Sequence, residues 1–160
     1  MNLVKIKNYY RLIKMDNDLK ECLSVLKRFY RLNDCKVRTL SGGLINKTFL
    51  IDKADDTKYV LQKLSNQFGI SVTNKVSIVS EHLINKGLHA PRLVITDAGD
   101  LIGNTPNGSW RLFKYLEGFS KKVVTTVEDS SELARVLGSF HLSVQDCVGI
   151  PMGQRKTRGV

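Results

Sequence analysis

Residues 39–63, TLSGGLINKTFLIDKADDTKYVLQK, constrain the fold more than any other stretch of the chain. Two short strand-like runs flank the pair Gly42–Gly43, and a third follows the charged turn DKADDT and ends at Lys63. Strands this close in sequence pair antiparallel, because a parallel pair needs a crossover of about a dozen residues or more. Glycines without Cβ atoms allow positive φ and a close approach of a ligand to the backbone N–H groups, an arrangement that suits a phosphate. Lys63, one hairpin later, would add a cation at the mouth of the same loop. A plain hairpin with a glycine turn has the same local grammar, and these residues alone leave both readings open. Asn46 and Thr48 alternate along the second strand, so they share a side, either beside a bound phosphate or in ordinary strand-edge hydrogen bonds.

The rest of the chain frames these strands. A helix is predicted over 16–32, capped by Asp16 or Asp18 with Glu21 completing a capping box, and with Leu19, Cys22, Leu23, Leu26, Phe29 and Tyr30 as its apolar stripe. Residues 35–40, 45–51 and 58–64 are the first three strands. A second helix is expected from Thr73, burying Val76, Val79, Leu83 and Ile84 and ending at Gly87. Residues 92–96 read as a strand with a short continuation at 101–103, 105–109 as a turn, and 110–116 as the fifth strand. A third helix from Asp129 carries Leu133, Val136, Leu137 and Phe140 on one face, and its Gly138 implies close packing. The expected fold is α+β with a five-stranded antiparallel sheet. The expected divisions are an N-terminal helical extension (1–34), a sheet-bearing lobe (35–118), a linker and helix (119–146) and a disordered basic tail (147–160).

The chain has 160 residues, 42% of them hydrophobic, which is enough for a globular core. Its 25 Lys and Arg against 15 Asp and Glu give a net charge of +10, a bias toward anionic partners. The basic residues are scattered, and no zinc-finger spacing or aromatic RNA-binding motif accompanies them, so the charge by itself supports only salt-sensitive nucleic-acid binding. No apolar run approaches the roughly 18 residues of a membrane span, and the N-terminus lacks a signal-peptide core; the expected location is cytoplasmic. Cys22, Cys35 and Cys147 form no CxxC pair and are expected to be reduced and structural. His82 and His89 lack spaced ligand partners, and no metal site is expected.

The strings SGGLINKTFLI, YVLQKL, SEHLINKG, PRLVIT, WRLFKYLEG and ELARVLGSFH, in this order over about residues 37–145, resemble the amino-terminal lobe of the aminoglycoside phosphotransferase and choline kinase superfamily, and most of all its N-acetylhexosamine kinases. The resemblance implies a protein-kinase-like N-terminal lobe with a C-type helix, an extra N-terminal helix and the first helix of a truncated C-lobe. It implies that Ser41, Gly42, Gly43 and Leu44 cover the phosphates of ATP, with Asn46 and Thr48 beside them. Lys63 would hold the α- and β-phosphates and Glu81 would pair with it, although in related kinases a basic residue can stand at the position of Gln62, on the opposite face of the strand. Tyr115, Leu116 and Glu117 would belong to the hinge that reads adenine.

The family's catalytic loop HxDxxxxN and its magnesium-binding Asp are absent. His82, His89 and His141 are the only histidines, and none is followed two residues later by Asp. No catalytic residue is therefore assigned, and Mg2+ would bind only with a missing lobe supplied. The implied function is the ATP-binding lobe of a sugar kinase, inactive alone. A non-catalytic nucleotide- or protein-binding module that self-associates through an exposed lobe interface is the alternative, and a basic nucleic-acid binder is a further one.

Overall fold

Alternating β-branched, aromatic and aliphatic residues build the strands, and the charged turn DKADDT closes two of them into a hairpin. The computed structural model describes residues 3–40, 45–65, 70–118 and 123–150, with backbone only for 3–16. It divides into two units, Met1–Thr73 with Leu93–Tyr115, and Asn74–Arg92 with Leu116–Val160.

The first unit holds helix α1 (Leu3–Tyr30) and strands β1 (Lys36–Leu40), β2 (Lys47–Asp52), β3 (Lys58–Lys63), β4 (Leu93–Val94), β5 (Gly103–Thr105) and β6 (Gly108–Lys114). The sheet is antiparallel in the order β1-β2-β3-β6-β4, with β5 also pairing β6. It thus has six strands where five were expected. The added one is β5, which the two-residue connection Pro106–Asn107 folds tightly onto β6.

One face of this sheet is covered by α1. Cys22, Val25, Leu26 and Tyr30 pack on Phe49, Ile51, Leu61, Trp110 and Leu112 as a single buried cluster. Leu23, expected in the stripe, is 46% exposed, and Val25 is buried in its place. Burial raises the Cys22 thiol to about 12, helped by the charges of Asp18 and Glu21, so it stays a neutral core residue. The helix begins well before residue 16, so Asp18 and Glu21 are not cap residues; three apart in mid-helix, they share a face.

Beyond α1, Asp97 N–H donates to Phe29 O at 2.8 Å and Arg31 pairs with Asp97 at 2.6 Å, fastening the segment after β4 to the helix end. Gly103 lies so close to α1 that a Cβ there would stand 2.7 Å from the Phe29 ring. Gly103→Ala is expected to lower stability by about 1–3 kcal/mol through overpacking, read from the urea midpoint. An unchanged midpoint would contradict the contact.

Helix α2 (Ile70–Asn85) has its first four residues in the first unit and the remainder in the second. It buries Thr73, Ser80 and Leu83, with Val76, Val79 and Ile84 half-buried. Gly87, at φ 78°, ends it as expected: Gly87 N–H donates to Ile84 O and Leu88 N–H to Leu83 O, the paired bonds of a glycine-terminated helix. Helix α3 (Val127–Val144) starts at Thr126, whose hydroxyl accepts from Asp129 N–H at 3.1 Å. Within the second unit, His82 Nε2 meets Ser143 O at 2.8 Å, and Lys86 and Asp146 form an ion pair. The attraction to Lys86 lowers the Asp146 carboxyl below its ordinary value. Gly138 has open space around its would-be Cβ, so the expected close packing there is not observed.

Candidate functional site

Residue alternation assigns each side chain of the central strands to one of two faces, and the cross-strand register then sorts them into rows. On the α1 face, Lys47, Lys63 and Trp110 form one row and Phe49, Leu61 and Leu112 the next. On the opposite face, Leu40, Thr48, Gln62 and Arg111 form a row across β1, β2, β3 and β6. Behind it stand Leu50, Val60 and Phe113.

The two faces use their polar groups differently. On the α1 side, Lys63 Nζ lies 2.7 Å from Glu21 Oε2, with the side chains only 19% and 16% exposed. Thr105 Oγ1 donates to Glu21 Oε1 at 3.1 Å, and the ammonium also sits 5.2 Å from the centre of the Trp110 ring. One helical turn earlier, Asp18 takes Lys47 at 2.6 Å. Two lysines of the sheet are thus neutralised by two carboxylates of α1. Lys63 pairs with Glu21, where the sequence expected Glu81; Glu81 meets Arg92 at 3.3 Å in the second unit.

On the other side, Gln62 bridges its neighbours. Its Oε1 accepts from Arg111 Nε at 3.0 Å, and its Nε2 donates to Thr48 Oγ1 at 3.5 Å. Arg111 Nη1 reaches Thr73 Oγ1, in the first turn of α2, at 3.4 Å. The guanidinium is half-buried over Phe113, and burial lowers its pKa with no opposing carboxylate contribution. Among the described residues it has no ion-pair partner, so a cation rests in a neutral polar row. That is an environment fitted to an incoming anion. No cluster of three acidic, histidine or cysteine side chains that would hold a metal occurs among the described residues.

The other residues singled out in the sequence fall as follows. Asn46 Oδ1 accepts from Ser65 N–H at 3.0 Å, tying the entry of β2 to the exit of β3. Ser41, Gly42, Gly43 and Leu44 lie outside the described residues; the chain enters that segment from Leu40, the residue paired with Thr48. Tyr115 N–H donates to Lys58 O at 3.1 Å, so it is committed to the sheet, whereas Leu116 and Glu117 are exposed and follow β6 without regular structure. Arg111 and Glu21 were not recognised as site residues from sequence. The β3–β6 register that places Arg111 beside Gln62 links residues 49 apart, which no local pattern encodes.

The chain is similar to a spectinomycin phosphotransferase solved with ADP and spectinomycin, with a TM-score of 0.58, 13% identity, and coverage of 81% of this chain and 38% of that one. It is also similar to the amicoumacin kinase hAmiN solved with AMP-PNP and Ca2+, with a TM-score of 0.61, 14% identity, and coverage of 85% and 42%. The fold is kinase-like. The chain spans about two fifths of the length of these kinases, and so matches part of their fold. No protein-family model and no curated protein matches it. No described helix is long and apolar enough to cross a membrane.

Proposed function

We propose that this chain is the nucleotide-binding lobe of an ATP-dependent small-molecule kinase, with an N-acetylhexosamine as the acceptor class that its sequence strings favour. The observation that carries the reading is the polar row Thr48–Gln62–Arg111, set on the sheet face away from α1 in a fold shared with part of two antibiotic kinases. In this reading Ser41, Gly42, Gly43 and Leu44 offer backbone amides to the phosphates, with Asn46 and Thr48 beside them, and Leu116 and Glu117 present backbone groups to adenine. Lys63 and Glu21 hold α1 on the sheet behind the site. Phosphoryl transfer needs a base and metal carboxylates in addition to nucleotide positioning, and the sequence has no HxDxxxxN loop to supply them.

Calorimetric titration tests the reading. ATP and ADP are expected to bind with dissociation constants between about 10 µM and 1 mM, a range of about 4–7 kcal/mol. Phosphate transfer to N-acetylglucosamine or N-acetylgalactosamine is expected to stay at background. No nucleotide binding would overturn the lobe assignment, and robust turnover would overturn the assignment of an inactive lobe.

A second reading rests on α3, where Leu133, Val136, Leu137 and Phe140 share a face yet are 57%, 51%, 52% and 39% exposed. Apolar residues set together in water favour association. Concentration-dependent sedimentation would support a protein-binding module, and a monomer at all concentrations would count against it.

A further inference from the structure

We propose that Arg111, oriented by Gln62, supplies the positive charge that meets the phosphates of the bound nucleotide, in place of a cation on β3. The inference rests on the nucleotide reading and specifies the residue that carries its electrostatics. On β3, the side chain that faces away from α1 in the polar row is the neutral Gln62. The lysine next to it points to the opposite face and is already neutralised by Glu21. Directly across the ladder from Gln62, on the same face, stands Arg111.

The chemistry of the row fits this transfer of charge by one strand. A guanidinium has five N–H donors in a planar fork that matches two phosphate oxygens. Nε is held by Gln62 Oε1 at 3.0 Å and Nη1 by Thr73 Oγ1 at 3.4 Å, which fixes the plane of the fork; Nη2 has no partner among the described residues. The Phe113 ring, 5.1 Å from Arg111 Cζ, backs the guanidinium on the apolar side. Thr48, at the other end of the row, adjoins Leu40, from which the diglycine segment departs. An anion over the row therefore meets a hydroxyl, an amide and a cation in register. Tying β6 to β3 and to α2 uses Nε and Nη1, and it leaves Nη2 and the charge itself without a partner among the described residues.

The test compares binding by calorimetry for four ligands: ATP, ADP, adenosine and inorganic tripolyphosphate. Arg111→Met is expected to weaken ATP and tripolyphosphate at least tenfold and to leave adenosine within twofold. Gln62→Glu places a carboxylate against the guanidinium without changing side-chain size, and is expected to give the same loss with an unchanged circular dichroism spectrum, which keeps the test valid if Arg111→Met does not fold. Lys63→Met combined with Glu21→Gln leaves no charge unpaired on the α1 face, and its ATP affinity is expected to stay within twofold of the parent.

Unaltered ATP and tripolyphosphate binding in folded Gln62→Glu or Arg111→Met would overturn the proposal, as would a tenfold loss confined to the Lys63 and Glu21 variant. If the parent protein binds tripolyphosphate through Arg111 but neither ATP nor adenosine, the anion site stands and the nucleotide reading falls. If it binds adenosine and ATP equally and tripolyphosphate not at all, the nucleotide reading stands and the anion site falls.

Discussion

Trp110→Ala is expected to destabilise the protein by about 3–5 kcal/mol, the largest loss of any single substitution in the sheet. The indole is fully buried at the end of the α1-facing rows, with its ring centre 6.0 Å from that of Phe49 at a tilt of 35°. It belongs to the cluster that joins Cys22, Val25 and Leu26 of α1 to β2, β3 and β6. It also lies under the Lys63 ammonium, so truncation removes a cation–π contact and opens the ion pair to water. Domains of this size are stable by about 5–15 kcal/mol, so the variant would retain little margin. Urea denaturation followed by far-ultraviolet circular dichroism measures the effect. A loss under about 1 kcal/mol would mean that α1 does not seat on this face.

Glu21→Ala carries the second large effect, expected at about 2–3 kcal/mol. Removing one partner of a fully buried pair typically costs about 3–5 kcal/mol, because the other charge is left without compensation. The residual exposure of 16–19% of these side chains lets water screen part of that cost. Thr105 also loses one of the two acceptors of its hydroxyl, with Gly108 O at 3.0 Å remaining. Lys63→Met should cost a similar amount, and the double variant less than the sum of the two, since the charge left behind in each single variant is gone. Strict additivity in a double-mutant cycle would show that the two residues do not interact.

The parts of the fold set by local chemistry were legible in the sequence. The diglycine-flanked strands, the DKADDT turn, the glycine that ends α2 and the approximate start of α3 all follow from patterns a few residues long. The sequence places the start of α1 near residue 16, because charges interrupt its earlier apolar residues and Asp18 and Glu21 carry the spacing of a capping box. Their actual role depends on Lys47 and Lys63, which lie 29 and 42 residues away.

The candidate site was legible in outline only. Alternation establishes that Gln62 and Lys63 face opposite ways, but it does not say which face receives α1. Both faces of β2 and β3 carry large apolar residues, Phe49, Ile51 and Leu61 on one and Leu50 and Val60 on the other, so neither is marked as the covered one. Only the packing of Cys22, Val25 and Leu26 against the first set resolves it. Arg111 is unmarked in the sequence for the same reason: its meaning comes from a cross-strand neighbour.

A titration with ADP followed by nuclear magnetic resonance separates the two faces most directly. The Arg111 Nε–Hε signal and the backbone amides of Thr48 and Gln62 are expected to shift together with ADP concentration, while the Trp110 indole and the Lys63 ammonium signals stay fixed. Shifts concentrated at Trp110 and Lys63, with Arg111 unmoved, would place the ligand on the α1 side and contradict the assignment of the nucleotide to the opposite face.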